Sequence, residues 1–237
     1  AGVASLVPKA VISAINGTIP TRYQQLKLQA LLSLSDGHTF VVQDSLVMYA
    51  VRYNQVSDPL WQNLSSSVLE PPVPAPSASV SVRAVRVGTR AVGTGTEANV
   101  TIATAPVYVT RLYGMTTTAG SSLHAQRGQA AGFVTLSASL SDGTELVTLF
   151  DSGAALYPGL VLLSSDDPTA VQVSSATGQL TLLDNAPGAV GVRAAVVATP
   201  AFEAATSASV DVTCNLMPEV GDIDMGAESG APLPADV

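Results

Sequence analysis

The sequence predicts an all-β fold built as two tandem β-sandwiches, and three observations carry that reading. The pentapeptide Ser-Leu-Ser-Asp-Gly occurs at Ser33–Gly37 and again at Ser139–Gly143, 106 residues further on. Val82-Arg83-Ala84 returns as Val192-Arg193-Ala194, and the 23 residues Val82–Thr104 align without a gap onto Val192–Cys214 with nine identities. Between these anchors Asp58-Pro59 answers to Asp167-Pro168. A period of roughly 110 residues is too long for a solenoid unit and suits a whole small domain. The third observation is composition: Val, Ala, Ser, Thr and Leu dominate, with only 5% aromatic and 12% charged residues. Such usage fits short, half-buried strands. The expected units are residues 1–105, residues 106–216, and a linker over 217–237.

Each element follows from local pattern. In the first copy the apolar run Leu6–Ile15 is interrupted by Asn16-Gly17, and Leu26–Leu34 ends at the Asp36-Gly37 turn. Asp-Gly between two β-rich runs is a strong hairpin signal. Phe40–Val42 and Leu46–Tyr53 continue as strands. The segment 71–76 carries four prolines and is read as a loop insertion, because proline cannot serve a central strand. Ser77–Val87 and Ala98–Ile102 alternate with period two and close the unit. The second copy runs through Val107–Tyr113, Phe133–Leu140, the Asp142-Gly143 turn, Leu146–Phe150, Leu160–Leu163, Ala170–Val173, Gln179–Leu183, Ala189–Val197 and Ala208–Val212. Ser121–Gln129 has room for a turn or two of helix but reads better as a connection. About seven short strands per unit, with turn signals every ten residues or so, predict immunoglobulin-like sandwiches. Leu32, Leu34, Val82 and Val100 are the expected core of one, Ala138, Leu140, Val192 and Val210 of the other.

The second copy resembles the bacterial immunoglobulin-like (Big) module family. The resemblance lies in Ser141-Asp142-Gly143-Thr144, Leu163-Ser164-Ser165-Asp166-Asp167-Pro168, Val171-Gln172-Val173, Gly178-Gln179-Leu180 and Ala186-Pro187-Gly188. The spacing of Leu149-Phe150-Asp151, Tyr157 and Val190-Gly191-Val192-Arg193 is closer to the transmembrane protein 132 family, whose ectodomains combine immunoglobulin-like and cohesin-like modules. The run Cys214–Gly226 resembles the join into such a cohesin-like module. The Ala/Val/Thr/Pro-rich usage is similar to that of algal cell-wall and ciliary surface glycoproteins. These resemblances imply a surface protein and say nothing of a ligand.

Chemistry-bearing motifs are few. Net charge is −8, and only ten Lys and Arg, which are not expected to cluster, set the chain against nucleic-acid phosphate. No run of 18 apolar residues exists to span a membrane. The chain starts at Ala1 without a Met and ends in a Pro/Gly/acidic stretch, which reads as part of a longer polypeptide. Gly93-Thr94-Gly95-Thr96-Glu97-Ala98 fits a dinucleotide fingerprint on paper, but a strand, not a helix N-terminus, follows it. Asp222-Ile223-Asp224 resembles the start of a calcium loop. Position 12 counted from Asp222 is Leu233, so it is no EF-hand; Asp222 and Asp224 remain candidates for calcium at an inter-module joint. Asn16, Asn63 and Asn99 head glycosylation sequons. Cys214 reads as a small buried hydrophobe, with pairing to a cysteine outside the segment as the alternative. Trp61 and the six tyrosines read as core or inter-strand packing residues before a sugar-stacking platform. With only His38 and His124 present, no catalytic set emerges and no cofactor is expected.

The function expected from the sequence is therefore a non-catalytic structural or adhesive segment of a large extracellular or cell-surface repeat glycoprotein. Its partners would be other modules of the same or a neighbouring chain. The runner-up is a carbohydrate-binding or receptor ectodomain module using the loops near Trp61 and 71–76; the third is an accessory domain of an enzyme. Only Ala105-Pro106 separate the two copies, a span under about 10 Å, which predicts end-to-end stacking into a stiff rod.

Overall fold

The computed structural model describes the chain except residues 1, 7–10, 34–35, 55–59, 73, 76, 88–89, 92–96, 152, 198–206 and 218–237. Among the described residues the fold is all-β, relieved only by a single 3-10 turn at Asp44–Leu46. Buried apolar side chains form two separate clusters, one from residues 12–102 and one from residues 15–214.

The second cluster lies between a five-stranded layer, in which Glu145–Leu146 pairs with Gln129–Leu140 beside the four strands named next, and a four-stranded one. One has the order Val109–Thr117, Gln129–Leu140, Gln179–Leu182, Val171–Val173; the other Ser122–Ala125, Ser207–Leu216, Val190–Val196, Val161–Ser165. This is the immunoglobulin-like arrangement, with sequential strands shared between two facing sheets. Along Gln129–Leu140, Val134, Leu136, Ala138 and Leu140 are buried and alternate with Thr135, Ser137 and Ser139. Pleating sends alternate side chains to opposite faces, so the sequence period alone sets the core face.

The first half repeats the plan in shorter strands. Val11–Ile12, Glu97–Ile102, Ser79–Val87, Val47–Tyr53 and Gln62–Asn63 form one layer. Opposite them stand Gly2–Leu6, Ala30–Ser33 and Thr39–Val41, with Leu26–Lys27 paired to Val68–Leu69. The two Asp-Gly turns are equivalent. Ser33 pairs with Thr39 and Ser139 with Glu145; the carboxylates of Asp36 and Asp142 each accept an N–H two residues on at 3.0 Å. Gly37 and Gly143 take φ near +87° and +81°, the left-handed step that closes a tight hairpin.

Three expectations are corrected. Ser122–Ala125 is a strand, paired in parallel with Ser207–Leu216, because Leu123 and Ala125 alternate inward against exposed His124. The gapless alignment fails beyond the first strand of its pair. Val82 faces Ala98, whereas Val192 faces Val210, so Ala98, not Val100, is the counterpart of Val210. The second hairpin is two residues longer, and a two-residue slip keeps every side chain on its own face. Val210 is accordingly only partly buried, and Val212 and Cys214 take the core positions. Finally, the cationic residues do cluster in space, as described below. Val82, Val100, Ala138, Leu140 and Val192 are buried as expected, and Leu32 packs on its cluster from a half-buried position. Leu34, Asp58-Pro59 and Gly93–Thr96 lie outside the described residues.

Candidate functional site

Two places concentrate polar groups: the junction between the halves and the outer face of the first half's larger sheet. The junction is more than the short Ala105-Pro106 connection. The segment 12–16 runs beside 103–107: Ala103 N–H donates to Ile12 O, Val107 N–H to Ala14 O and Asn16 N–H to Val107 O, at 2.8, 2.8 and 2.7 Å. Ile15, 1% exposed, is buried in the second cluster although it precedes the rest of that cluster by some ninety residues of chain. Gly159 brings the Tyr157–Leu160 turn onto the Asn16–Thr18 turn, and Ile19 N–H donates to Pro158 O at 2.6 Å. A Cβ on Gly159 would meet Gly17 O and Ile19 N at 3.1 Å.

Gln24 ties this joint together. Its side chain is 3% exposed; Oε1 accepts Ser13 N–H at 3.0 Å, while Nε2 donates to Asp142 Oδ2 at 2.9 Å and Thr144 Oγ1 at 3.0 Å. A buried amide costs free energy unless its donors and acceptor are satisfied, and here the partners come from both halves. Nearby, Arg22 pairs with Glu70 at 3.1 Å. The Tyr157 phenol is pushed up by burial and then by the Glu70 charge, with Arg22 opposing. A cleft of about 290 Å³ beside the joint is lined by Gln24, Lys27, Val68, Leu146, Leu156 and Tyr157.

The second place is built on strand register. Arg52 faces Ser81, Ala50 faces Arg83, and Met48 faces Arg86 across a bulge between Ala84 and Arg86. Tyr49 and Val51 alternate into the core, so Arg52, Arg83 and Arg86 share the outward face. Trp61 lies on that face, half-buried and outside both core clusters, so that of the two packing roles expected for it the inter-strand one holds. The guanidiniums of Arg83 and Arg52 stand 4.0 and 4.8 Å from its ring centroid, within cation–π range. Arg52 also reaches Glu97 at 3.4 Å. Ser81, buried beneath, lies 2.9 Å from Asn99 Oδ1 and 3.2 Å from Asn54 Oδ1.

The remaining candidates scatter. Asn16 sits half-buried in the junction turn, Asn63 is exposed on the edge strand, and Asn99 is exposed beside Ser81. Asp222 and Asp224 lie outside the described residues, and among those described no group of His, Cys, Asp and Glu has metal-binding geometry. Cys214 is buried and unpaired, and desolvation pushes its thiol up, away from nucleophile chemistry. His38 stacks on Phe40 next to Asp36. His124 Nε2 is 3.0 Å from Ser122 Oγ, which also accepts from Asn215 and Thr213. Those bonds order the parallel strand pair. Among the described residues no helix is long and apolar enough to cross a membrane.

No family model matches the chain, and no curated protein does, so the Big and transmembrane protein 132 likenesses rest on their motif residues and the algal one on composition alone. Solved structures with similar strand arrangements include domains 1–6 of the surface-layer protein SbsC, at 14% identity and TM-score 0.32 over 92% of this chain. A second structure of SbsC gives 15% and 0.28 over 93%. A C-terminal fragment of intimin, solved with the intimin-binding domain of its translocated receptor, gives 14% and 0.24 over 91%. The chain spans 27%, 29% and 65% of the length of those three chains respectively.

Proposed function

We propose that this chain is a non-catalytic structural segment of a large extracellular or cell-surface protein: a stiff spacer whose units, 1–105 and 106–216, stack end to end and join further modules of the same or a neighbouring chain. The junction supports this reading. A flexible tether would need one polar crossing, whereas here two chain segments cross side by side, a buried glutamine is shared and Ile15 is inserted in the neighbouring core. Bending such a joint would expose apolar surface and strand the Gln24 amide. Stiffness is the property a filament, stalk or adhesive spacer uses. In the same reading Asn16, Asn63 and Asn99 carry glycans, and Asp222 and Asp224 hold calcium where the chain leads into its next module.

Small-angle scattering tests it. The expected particle is elongated with a narrow spread of inter-unit distances, and Gln24→Ala broadens that spread. A broad distribution in the unsubstituted protein overturns the spacer reading. A distribution indifferent to chelator removes calcium from the tail.

A further inference from the structure

We propose that the outward face around Trp61 binds an anionic glycan, one bearing carboxylate or sulfate groups, through Arg83, Arg52 and Arg86. The inference is independent of the spacer reading and starts from a comparison within the molecule. Arg83 and Arg193 occupy the same place in the repeated Val-Arg-Ala strand. Arg193 is neutralised by a bidentate bond to Asp166, at 2.7 and 2.8 Å. Arg83 has no such carboxylate among the described residues. Its neighbour Glu97 is taken by Arg52, and its Nε is buried without a hydrogen-bond partner.

Stacking explains what the site offers. A guanidinium lying against an indole ring keeps its in-plane N–H donors free at the edge, in the fork geometry that carboxylate and sulfate oxygens match. Arg86 stands exposed on the same strand, so three of the chain's ten cationic residues share one face in a molecule of net charge −8. That concentration runs against the overall charge and gives the face a local attraction for anions. Ala50 and Ser81 are buried beneath the face, and a strand of only two residues, Gln62–Asn63, forms the sheet's edge beside it. An edge of two residues offers an extended peptide little backbone to pair with. A sugar ring needs no strand edge, and Asn54 and Ser79 present amide and hydroxyl groups at the rim.

Trp61 is the single tryptophan of the chain, so its emission reports on this face alone. The protein is titrated with polygalacturonate and with dextran sulfate, with neutral dextran and poly-glutamate as comparison polymers. The expected result is a saturable change in Trp61 emission with one or both anionic glycans, none with neutral dextran, and a weaker response to poly-glutamate. Arg83→Gln should weaken binding tenfold or more, while Arg193→Gln leaves it unchanged. Should Arg83→Gln alter the far-UV spectrum, Arg52→Gln and Arg86→Gln replace it, each expected to weaken binding threefold or more. No saturable response to either glycan overturns the proposal. So does equal loss in the Arg193→Gln variant, which would mean unspecific charge attraction, or tighter binding of poly-glutamate, which would make the partner an acidic polypeptide.

Discussion

At the scale of single residues, the carboxylates show how exposed polar groups tune this surface. Arg193 holds the Asp166 carboxyl below its ordinary range, the Thr169 hydroxyl and backbone N–H groups do so for Asp167, and the hydroxyls of Tyr113 and Ser139 do so for Glu145. A carboxyl whose folded value is depressed stabilises the fold above its unfolded value, near pH 4, and that contribution is lost as pH falls through the folded value. The melting temperature should therefore decline below about pH 4, and Asp166→Asn should melt lower at neutral pH with a shallower acid decline; scanning calorimetry across pH checks both. Two glycines make a sharper contrast. A Cβ on Gly191 would collide only with the Asp166 carboxylate, which can swing away, so Gly191→Ala should cost no more than the exposed ion pair contributes, which is little. A Cβ on Gly159 meets backbone at 3.1 Å with φ at +82°, so Gly159→Ala should cost about 1–3 kcal/mol. Urea melts of the two variants test the order.

At the scale of elements, the hairpins were legible because their chemistry is local. Asp36-Gly37 and Asp142-Gly143 specify their turns through one carboxylate and one left-handed residue, and the alternation of Phe133–Leu140 marks a core face without further information. The slip between Ala98 and Val210 was invisible, since register depends on how long the preceding hairpin is and a shift of two residues leaves the alternation intact. Its energetic consequence is measurable. Val212→Ala should lose about 1.5–3 kcal/mol as a fully buried valine, and Val210→Ala less than half of that, in the same urea series. The Ser122–Ala125 strand was missed for a different reason: with four residues flanked by Gly120 and Gly128, it has too little sequence to show a period. Likewise the arginines are dispersed along the chain at 52, 83 and 86, and only the pairing of Val47–Tyr53 with Ser79–Val87 brings them together. No signal in the sequence pointed to Gln24, because a glutamine between apolar residues looks like any solvent-facing position until its partners at 142 and 144 arrive.

At the scale of the whole molecule, the repeat divides the chain into two, but the packing does not divide there. Ile15 belongs by sequence to the first half and by burial to the second core. Ile15→Ala should destabilise the chain by about 2–5 kcal/mol in urea melts, the cost of truncating the second core, although the substitution lies in the first half. The inserted side chain also changes how the molecule comes apart. Beads on a string melt one at a time, each at its own temperature. Here the first half cannot unfold without withdrawing Ile15 and the Gln24 amide from its neighbour, so loss of one unit lowers the barrier to loss of the next. The second half, released from residue 107 onward as a separate fragment, would carry an unfilled hole where Ile15 belongs. Thermal unfolding of the intact chain should then appear as a single coupled transition, and that fragment alone should melt below it.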